Sequence, residues 1–443
     1  MILAMKKGDF SMREREMNEL EREERRRRQQ RKRLKQKRLR QRRIRMMILC
    51  GVILLIGIMG ICFACSNKED GKKVSKESVI QKEQEDAEDE TGQEEVYAEP
   101  EIDIVMVGDI LLHDNVQESG KLEDGTYNYD HLFVNVAEDI RKADIAIANQ
   151  EVILGGTEIG LYGYPNFNGP YEVGDALAKA GFNVILHATN HTLDRGKTAL
   201  LNCMDFWKTE HSDVAVLGIF ESQEAYDNDV YVYEQDGVKI AILNYTYGTN
   251  GIEPPDDMPF AVSMLEEEKV LADLEKANKK ADFIVVCPHW GTEYQHSQSE
   301  EQERWAKIFL ENGVDLVIGT HPHYIQPVEM LTDEDGNQML VYYSLGNFIN
   351  STGESGRGTA DRMIGGMAEV TVAKKENGEV YIKKYGVEPL VTQLLYGTQE
   401  ITTYKLVDYT DELASQNQIL EKDGVFSLEF CQELCEEVFD ELY

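Results

Sequence analysis

Cysteine is scarce, with seven among 443 residues, and the five from residue 65 onward (Cys65, Cys203, Cys287, Cys431 and Cys435) are scattered. That spacing excludes a disulfide framework for a domain of this size. Cys431 and Cys435 stand four apart in FCQELCEEVF, an amphipathic helical pattern, and read as half-buried thiols. No internal repeat is evident. Histidine is nearly as rare, at nine residues, yet two of them flank a proline in VDLVIGTHPHYIQPVE, residues 314–329. The run VDLVIG is short and β-branched, which fits a buried strand. Pro322 has no N–H to continue a ladder, so the chain should turn there.

Long uncharged runs are also absent, with one exception. MMILCGVILLIGIMGICFAC, residues 46–65, carries no charge over twenty residues. As a helix it would rise about 30 Å, roughly the hydrocarbon thickness of a bilayer. The net charge of -35 is unevenly divided. Residues 1–45 hold 19 Lys/Arg against 7 Asp/Glu, leaving 27 against 74 for the rest. The basic block before the apolar run marks the cytoplasmic side, so the acidic remainder is expected outside the cell. A retained, single-pass anchor in the cell membrane is expected. A cleavable signal would have a much shorter charged region, and the bulky Cys62 and Phe63 before Cys65 argue against a lipoprotein. Residues 1–45 then form a basic cytoplasmic segment in contact with membrane lipid and no nucleic acid. Residues 66–100 are polar, acidic and poor in aromatics, and read as a disordered stalk.

From residue 101 the pattern is α/β. Apolar, β-branched runs occur at IDIVMVGD, ADIAIANQE, FNVILHATNH, VKIAILNYT, ADFIVVCPHWG, VDLVIGTHPH and MLVYYSLGNF. Helical stretches such as GPYEVGDALAKAG, GKTALLNCMDFWKTE and SEEQERWAKIFLENG separate several of them. Two alternating strands around ENGE read as a hairpin. A layered domain over 101–395 is expected, followed by a helical extension over 396–443.

The strand ends carry the chemistry. Asp109 follows IVMVG with His113 four residues on; Asn149 and Glu151 close the second run, and Asn190 and His191 the third. His289, then His321 and His323, and finally Asn347 close later ones. Sites of open α/β sheets form beyond the carboxyl ends of strands. Histidine nitrogen with carboxylate and amide oxygen is the ligand set of Mn²⁺, Fe²⁺ or Zn²⁺, and the number of candidates suits two ions. Two ions about 3.5–4 Å apart can activate a nucleophile and clamp the oxygens of a phosphoryl-like centre. Glu151 is the best-placed bridging carboxylate, and an unligated histidine can serve as general acid.

VMVGDILLH, ANQE, FNGP, ATNHTLDRG, CPHWGTEY, IGTHPHYIQPVE and YSLGNFI together resemble the CapA-type capsule and poly-γ-glutamate synthesis proteins. That family is similar in motif order to calcineurin-like metallophosphoesterases. The resemblance covers about residues 102–350. It implies a four-layered α/β/β/α sandwich of the metallophosphoesterase type, here with an N-terminal transmembrane helix, and a centre of two divalent ions. Asp109 and His113 would match the first metal block, Glu151 with Asn149 the bridging block, and Asn190 and His191 the next; His289, His321 and His323 would match the later histidine ligands. Two departures stand out. The phosphoesterase pattern places its first histidine two residues after the aspartate, and it uses aspartate where this chain has Glu151.

By this resemblance the chain acts in making, releasing or attaching an anionic surface polymer, alongside other capsule-synthesis membrane proteins. His191 or His323 would assist protonation; from the residues, Trp290 reads as a substrate-contacting pocket wall, with core packing the alternative, and Asn347 as a substrate contact or a residue that shapes a glycine turn. The competing class is a non-catalytic factor that binds polymer for assembly or export. Asp194 reads as a turn or supporting residue, and His131, His187, His211 and His296 as structural or solvated. GESGRGTADR, residues 353–362, carries Arg357 and Arg362 but lacks the spacing of a phosphate-binding loop; it reads as a flexible loop, with an anion contact the alternative.

Overall fold

The computed structural model describes residues 98–228, 230–395 and 401–442. The expected basic segment (1–45), the apolar span (46–65) and the stalk through residue 97 lie outside the described residues. Among the described residues, no helix is long and apolar enough to cross a membrane.

In chain order the strands are β1 (Glu101–Ile110), β2 (Ile145–Asn149), β3 (Val184–Leu186), β4 (Ala215–Leu217), β5 (Tyr231–Gln235), β6 (Val238–Thr246) and β7 (Phe283–His289). There follow β8 (Leu316–Ile318), β9 (Val328–Thr332), β10 (Gln338–Tyr342), β11 (Asn347–Ile349), β12 (Ile364–Lys374), β13 (Val380–Gln393) and β14 (Thr402–Lys405). The helices are α1 (Asp114–Ser119), α2 (Ala137–Lys142), α3 (Tyr171–Ala180), α4 (Gly196–Glu210), α5 (Gln223–Asp227), α6 (Glu267–Lys280), α7 (Glu300–Glu311), α8 (Asp411–Gln416) and α9 (Leu428–Phe439).

The strands form two sheets. The first runs β14-β13-β12-β1-β2-β3-β4, with β11 also paired to β1, and the second runs β5-β6-β7-β8-β10-β9. Alternation along the strands fixes the layers, because successive side chains point to opposite faces. Ile102, Ile104 and Met106 of β1 share a core with Ile240, Ile242, Phe283 and Val285 of the second sheet. Val105 and Val107 face instead the core built on Val173 and Leu177 of α3 and Leu200 and Phe206 of α4. On the far side, Leu243, Ile284 and Val286 pack under Leu274 of α6 and Trp305 and Phe309 of α7. Helices, sheet, sheet and helices thus stack as four layers. α7 starts at a capping box between Ser299 and Gln302, which satisfies two otherwise unpaired N–H groups.

The segment expected as a purely helical extension begins instead with β14, which pairs antiparallel to β13. Cys431, Cys435 and Phe439 of α9 then enter the inter-sheet core. The amphipathic pattern showed a helix, but the four residues of β14 are too few for a period to register.

The run MLVYYSLGNF is likewise not one strand. β10 ends at Tyr342, Gly346 turns at φ 64°, and β11 pairs parallel to β1 in the first sheet, with Asp109 opposite Asn347. The chain therefore crosses between the sheets within four residues. The crossing demands close backbone approach: a Cβ on Gly108 would lie 2.0 Å from the Gly346 carbonyl oxygen, and one on Gly365 2.0 Å from that of Asn347.

His187 is buried against α4, where its Nε2 accepts a hydrogen bond from Trp207 Nε1 at 2.9 Å. Burial pushes its pKa from the ordinary 6.5 down to about 3. Below about pH 6.5 the unfolded chain takes up a proton that the folded chain refuses, so stability is full above that pH and is lost on acidification towards 3. The contribution is on the order of 3–5 kcal/mol over the whole window. In denaturant unfolding of the full-length chain from about pH 7 to about pH 4, His187→Gln should start less stable and decline less steeply. Equal slopes for parent and variant would contradict the assignment.

Candidate metal centre

The carboxyl ends of β1, β2 and β3 in one sheet and of β7 and β8 in the other converge on one pocket. Asp109 lies one residue from the end of β1, where the register against β2 and β11 shifts. Asn149 ends β2, and its Nδ2 donates to Asp109 Oδ1 at 2.7 Å. The backbone N–H of His321 donates to Asp109 Oδ2 at 3.1 Å, tying the first strand of one sheet to the loop after β8 in the other.

Glu151 is buried among histidines. Its Oε1 lies 3.9 Å from His191 Nε2, 3.8 Å from His289 Nε2 and 3.8 Å from His323 Nε2. Neither carboxylate oxygen has a hydrogen-bond partner, and Asn149 Oδ1 and His321 Nδ1 are buried without one as well. Ligand atoms of Glu151, His321 and His323 all lie within 4.8 Å of one another. Burial and the neighbouring Asp109 push the Glu151 carboxyl well above its ordinary range. Burial and the adjacent imidazoles hold His289 and His321 well below theirs.

The imidazoles are oriented by specific partners. His191 Nδ1 is 2.6 Å from Asp194 Oδ2, and His323 Nδ1 is 3.1 Å from Asn347 Oδ1. His289 is engaged at both nitrogens, with Thr320 Oγ1 at 3.0 Å and Asn190 Oδ1 at 3.0 Å. His321 and His323 adopt φ 96° and 57°, a region that costs a non-glycine residue about 1–3 kcal/mol and clusters at functional sites. β8 stops at Ile318, so the turn around Pro322 is longer than the sequence suggests, and it aims both rings inward.

Of the residues expected at the site, the structure brings together Asp109, Asn149, Glu151, Asn190, His191, His289, His321, His323 and Asn347. His113 borders the same pocket: its ring meets the edge of Phe167 at 5.3 Å, and burial with the neighbouring His323 pushes its pKa down to about 3. One stands apart. Trp290, expected to contact substrate, is instead a packing residue. It lies in the core under α7 and donates from Nε1 to the Tyr343 carbonyl at 3.0 Å, because the alternation of β7 turns it to the helix side. Sequence reasoning missed Thr320 and underweighted Asp194, although both sit inside the quoted blocks. It also missed Tyr247, whose ring is 4.5 Å from His321. No local pattern marks an exposed tyrosine as a pocket residue.

The donor set, part carboxylate and part imidazole with unsatisfied atoms facing each other, fits a divalent cation of intermediate character. The family model described as bacterial capsule synthesis protein PGA_cap matches residues 103–352. The chain belongs to that family. Every converging residue lies within the PGA_cap match. The chain is 30% identical over 260 residues to "Capsule biosynthesis protein CapA" of Bacillus anthracis, covering 56% of this chain and 60% of that protein. It is 29% identical over 178 residues to "PGA biosynthesis protein CapA" of Bacillus subtilis (strain 168), covering 40% and 45%. The match thus spans about half to three-fifths of these relatives' length. Among solved structures, the Haemophilus influenzae NAD nucleotidase NadN is similar at TM-score 0.42 and 13% identity, over 73% of this chain and 56% of that one. A 5'-nucleotidase precursor from Thermus thermophilus is similar at TM-score 0.39 and 14% identity, over 66% and 54%.

If the Glu151 charge is held for a cation, removing the charge should help the empty protein and harm the loaded one. With chelator at about pH 8, Glu151→Gln is expected to be about 1–2 kcal/mol more stable than the parent, since an unpaired buried carboxylate no longer needs accommodation. With added Mn²⁺ or Zn²⁺ the parent's melting temperature should rise and the variant's should not. A variant that still gains stability from the metal would contradict Glu151 as a ligand.

Proposed function

We propose that this chain is a membrane-anchored, metal-dependent hydrolase or transferase that acts outside the cell in biosynthesis of a capsule or poly-γ-glutamate-type polymer. The observation that carries the reading is the buried, unpartnered Glu151 carboxylate facing His321 and His323. The names of its CapA relatives and its family support the role in surface-polymer synthesis. The four-layer order supports kinship with the metallophosphoesterases. The apolar run 46–65 and the basic block before it support the single-pass anchor with the acidic part outside. Membrane lipid, an anionic polymer or its precursor and other capsule-synthesis membrane proteins are then the partners, and nucleic acid is not.

Glu151, His321 and His323 would hold the first of two ions (Mn, Fe or Zn), with Asp109, Asn149, Asn190 and His289 available around it. Such an ion supplies charge stabilisation to an oxyanion and lowers the pKa of a nucleophile. The rest of the chemistry belongs to the chain. Asp194 fixes the tautomer of His191 by accepting from Nδ1, which leaves Nε2 towards the pocket to take a proton from the attacking nucleophile and pass it to a leaving group. Asn347 does the same for His323; its grouping with Glu151 and His321 favours ligation for that ring.

Metal analysis of the purified full-length chain should find near-stoichiometric Mn, Fe or Zn, and His321→Ala should lose both metal and the ability to support polymer production in cells. A metal-free chain whose Ala variant still supports polymer would favour the alternative, a non-catalytic factor for polymer assembly or export. His191→Gln is expected to keep the metal but lose about 10²–10⁴-fold in turnover, as for a proton-transfer group. Loss of metal in that variant would instead make His191 a ligand.

A further inference from the structure

Beside the pocket, the loop between β11 and β12 carries a buried cation outside the metal centre. The Arg362 side chain is 13% exposed, and its Nη2 is 2.6 Å from Oε2 of Glu354, itself 63% exposed. Nη1 donates to Thr352 Oγ1 at 3.0 Å. The guanidinium carbon sits 3.9 Å over the ring of Tyr294, and that ring is 5.9 Å from the ring of His323. The Arg362 carbonyl accepts from Asn347 Nδ2 at 2.9 Å, the same side chain that orients His323. Nε of Arg362 is buried with no partner.

The pairing is lopsided. A buried guanidinium needs an anion, but the carboxylate it meets, Glu354, offers one oxygen from a mostly exposed side chain. Its side-on fork, Nε–H with Nη2–H, is the face that takes carboxylate or phosphate through two parallel bonds, and Glu354 fills only half of it. The long-range field of so acidic a chain repels polyanions, so recognition of one falls to a local, fixed cation. We propose that Arg362 is a specificity-determining residue that binds an oxyanion of the substrate, carboxylate or phosphate, and that Glu354 occupies this site as an intramolecular stand-in until substrate displaces it. Thr352 and the face of Tyr294 hold the guanidinium in place while Glu354 swings into solvent. The inference rests on the reading of the adjacent pocket as the substrate site.

The test titrates two probes, inorganic phosphate and tri-γ-glutamate, calorimetrically into the full-length chain purified in detergent and treated with chelator. Glu354→Gln should bind at least one probe about two- to fivefold more tightly, the size of an exposed ion pair. Arg362→Lys keeps the charge but loses the fork, and should bind that probe about tenfold more weakly. A gain confined to tri-γ-glutamate identifies a carboxylate, a gain confined to phosphate identifies a phosphate, and a gain with both identifies a general oxyanion site. The proposal is overturned if Glu354→Gln gains with neither probe, or if Arg362→Lys binds as tightly as the parent. Metal content measured on portions of the same preparations, taken before chelation, separates the two readings. Both variants should load metal like the parent, whereas failure of the parent to load any would sink the metal-dependent function and leave the anion result standing.

Discussion

A carboxylate without a partner in the interior is the constraint around which this structure is arranged. Glu151 and Asp109 are both fully enclosed, and moving an ionised carboxylate out of water costs several kcal/mol unless something charged or hydrogen-bonding meets it. Asp109 has Asn149 and the His321 N–H. Glu151 has neither. A proton would quiet the carboxylate, yet it would leave the buried His321 nitrogen still unsatisfied. Protonated imidazoles would neutralise the carboxylate, but burial and mutual repulsion keep His289 and His321 neutral. A divalent cation meets both demands, because it binds ionised carboxylate and neutral imidazole together.

Holding such a group of atoms requires rigid support from both sheets. The first sheet contributes Asp109 and the residues after β2 and β3, and the second contributes His289 and the turn after β8. The crossing from β10 to β11 ties the two at this edge, at the expense of glycine wherever backbone meets backbone. Around the cluster, Asp194, Thr320 and Asn347 each grip one ring nitrogen. Metal-binding histidines usually carry such a partner on the nitrogen that does not face the ion, and it fixes both tautomer and orientation. The strained φ of His323 is held by the Asn347 contact and that of His321 by its backbone N–H to Asp109, the kind of surrounding support such conformations require.

Much of this was legible in the residues. Hydrophobic alternation marked β1, β2, β6 and β7, and the polar residues closing them pointed to one edge. The sequence could not show every three-residue strand. The runs around β3 and β8 read as strands, but β4 and β11 are too short for a period to register, and their places come from pairing with neighbouring strands. Trp290 was misjudged for a related reason: a tryptophan beside a candidate ligand suggests a pocket wall, but period two puts it on the opposite face of β7. Asn347 was correctly placed at the edge although its strand was not, since the Gly346 turn that starts β11 lies inside what reads as one apolar run. Arg362 could be singled out only as part of a Gly-rich loop, because its packing against Tyr294 depends on a residue far away in the chain.

The account stands on an ion between Glu151, His321 and His323. The most direct measurement is anomalous diffraction from crystals of the purified protein, with data on both sides of the Mn, Fe and Zn absorption edges. The account predicts a peak at an element-specific edge within coordination distance of the Glu151 carboxylate and of imidazole nitrogens of His321 and His323. Absence of any anomalous peak there, in crystals grown with these metals and with Glu151 hydrogen-bonded instead to solvent or protein, would contradict it.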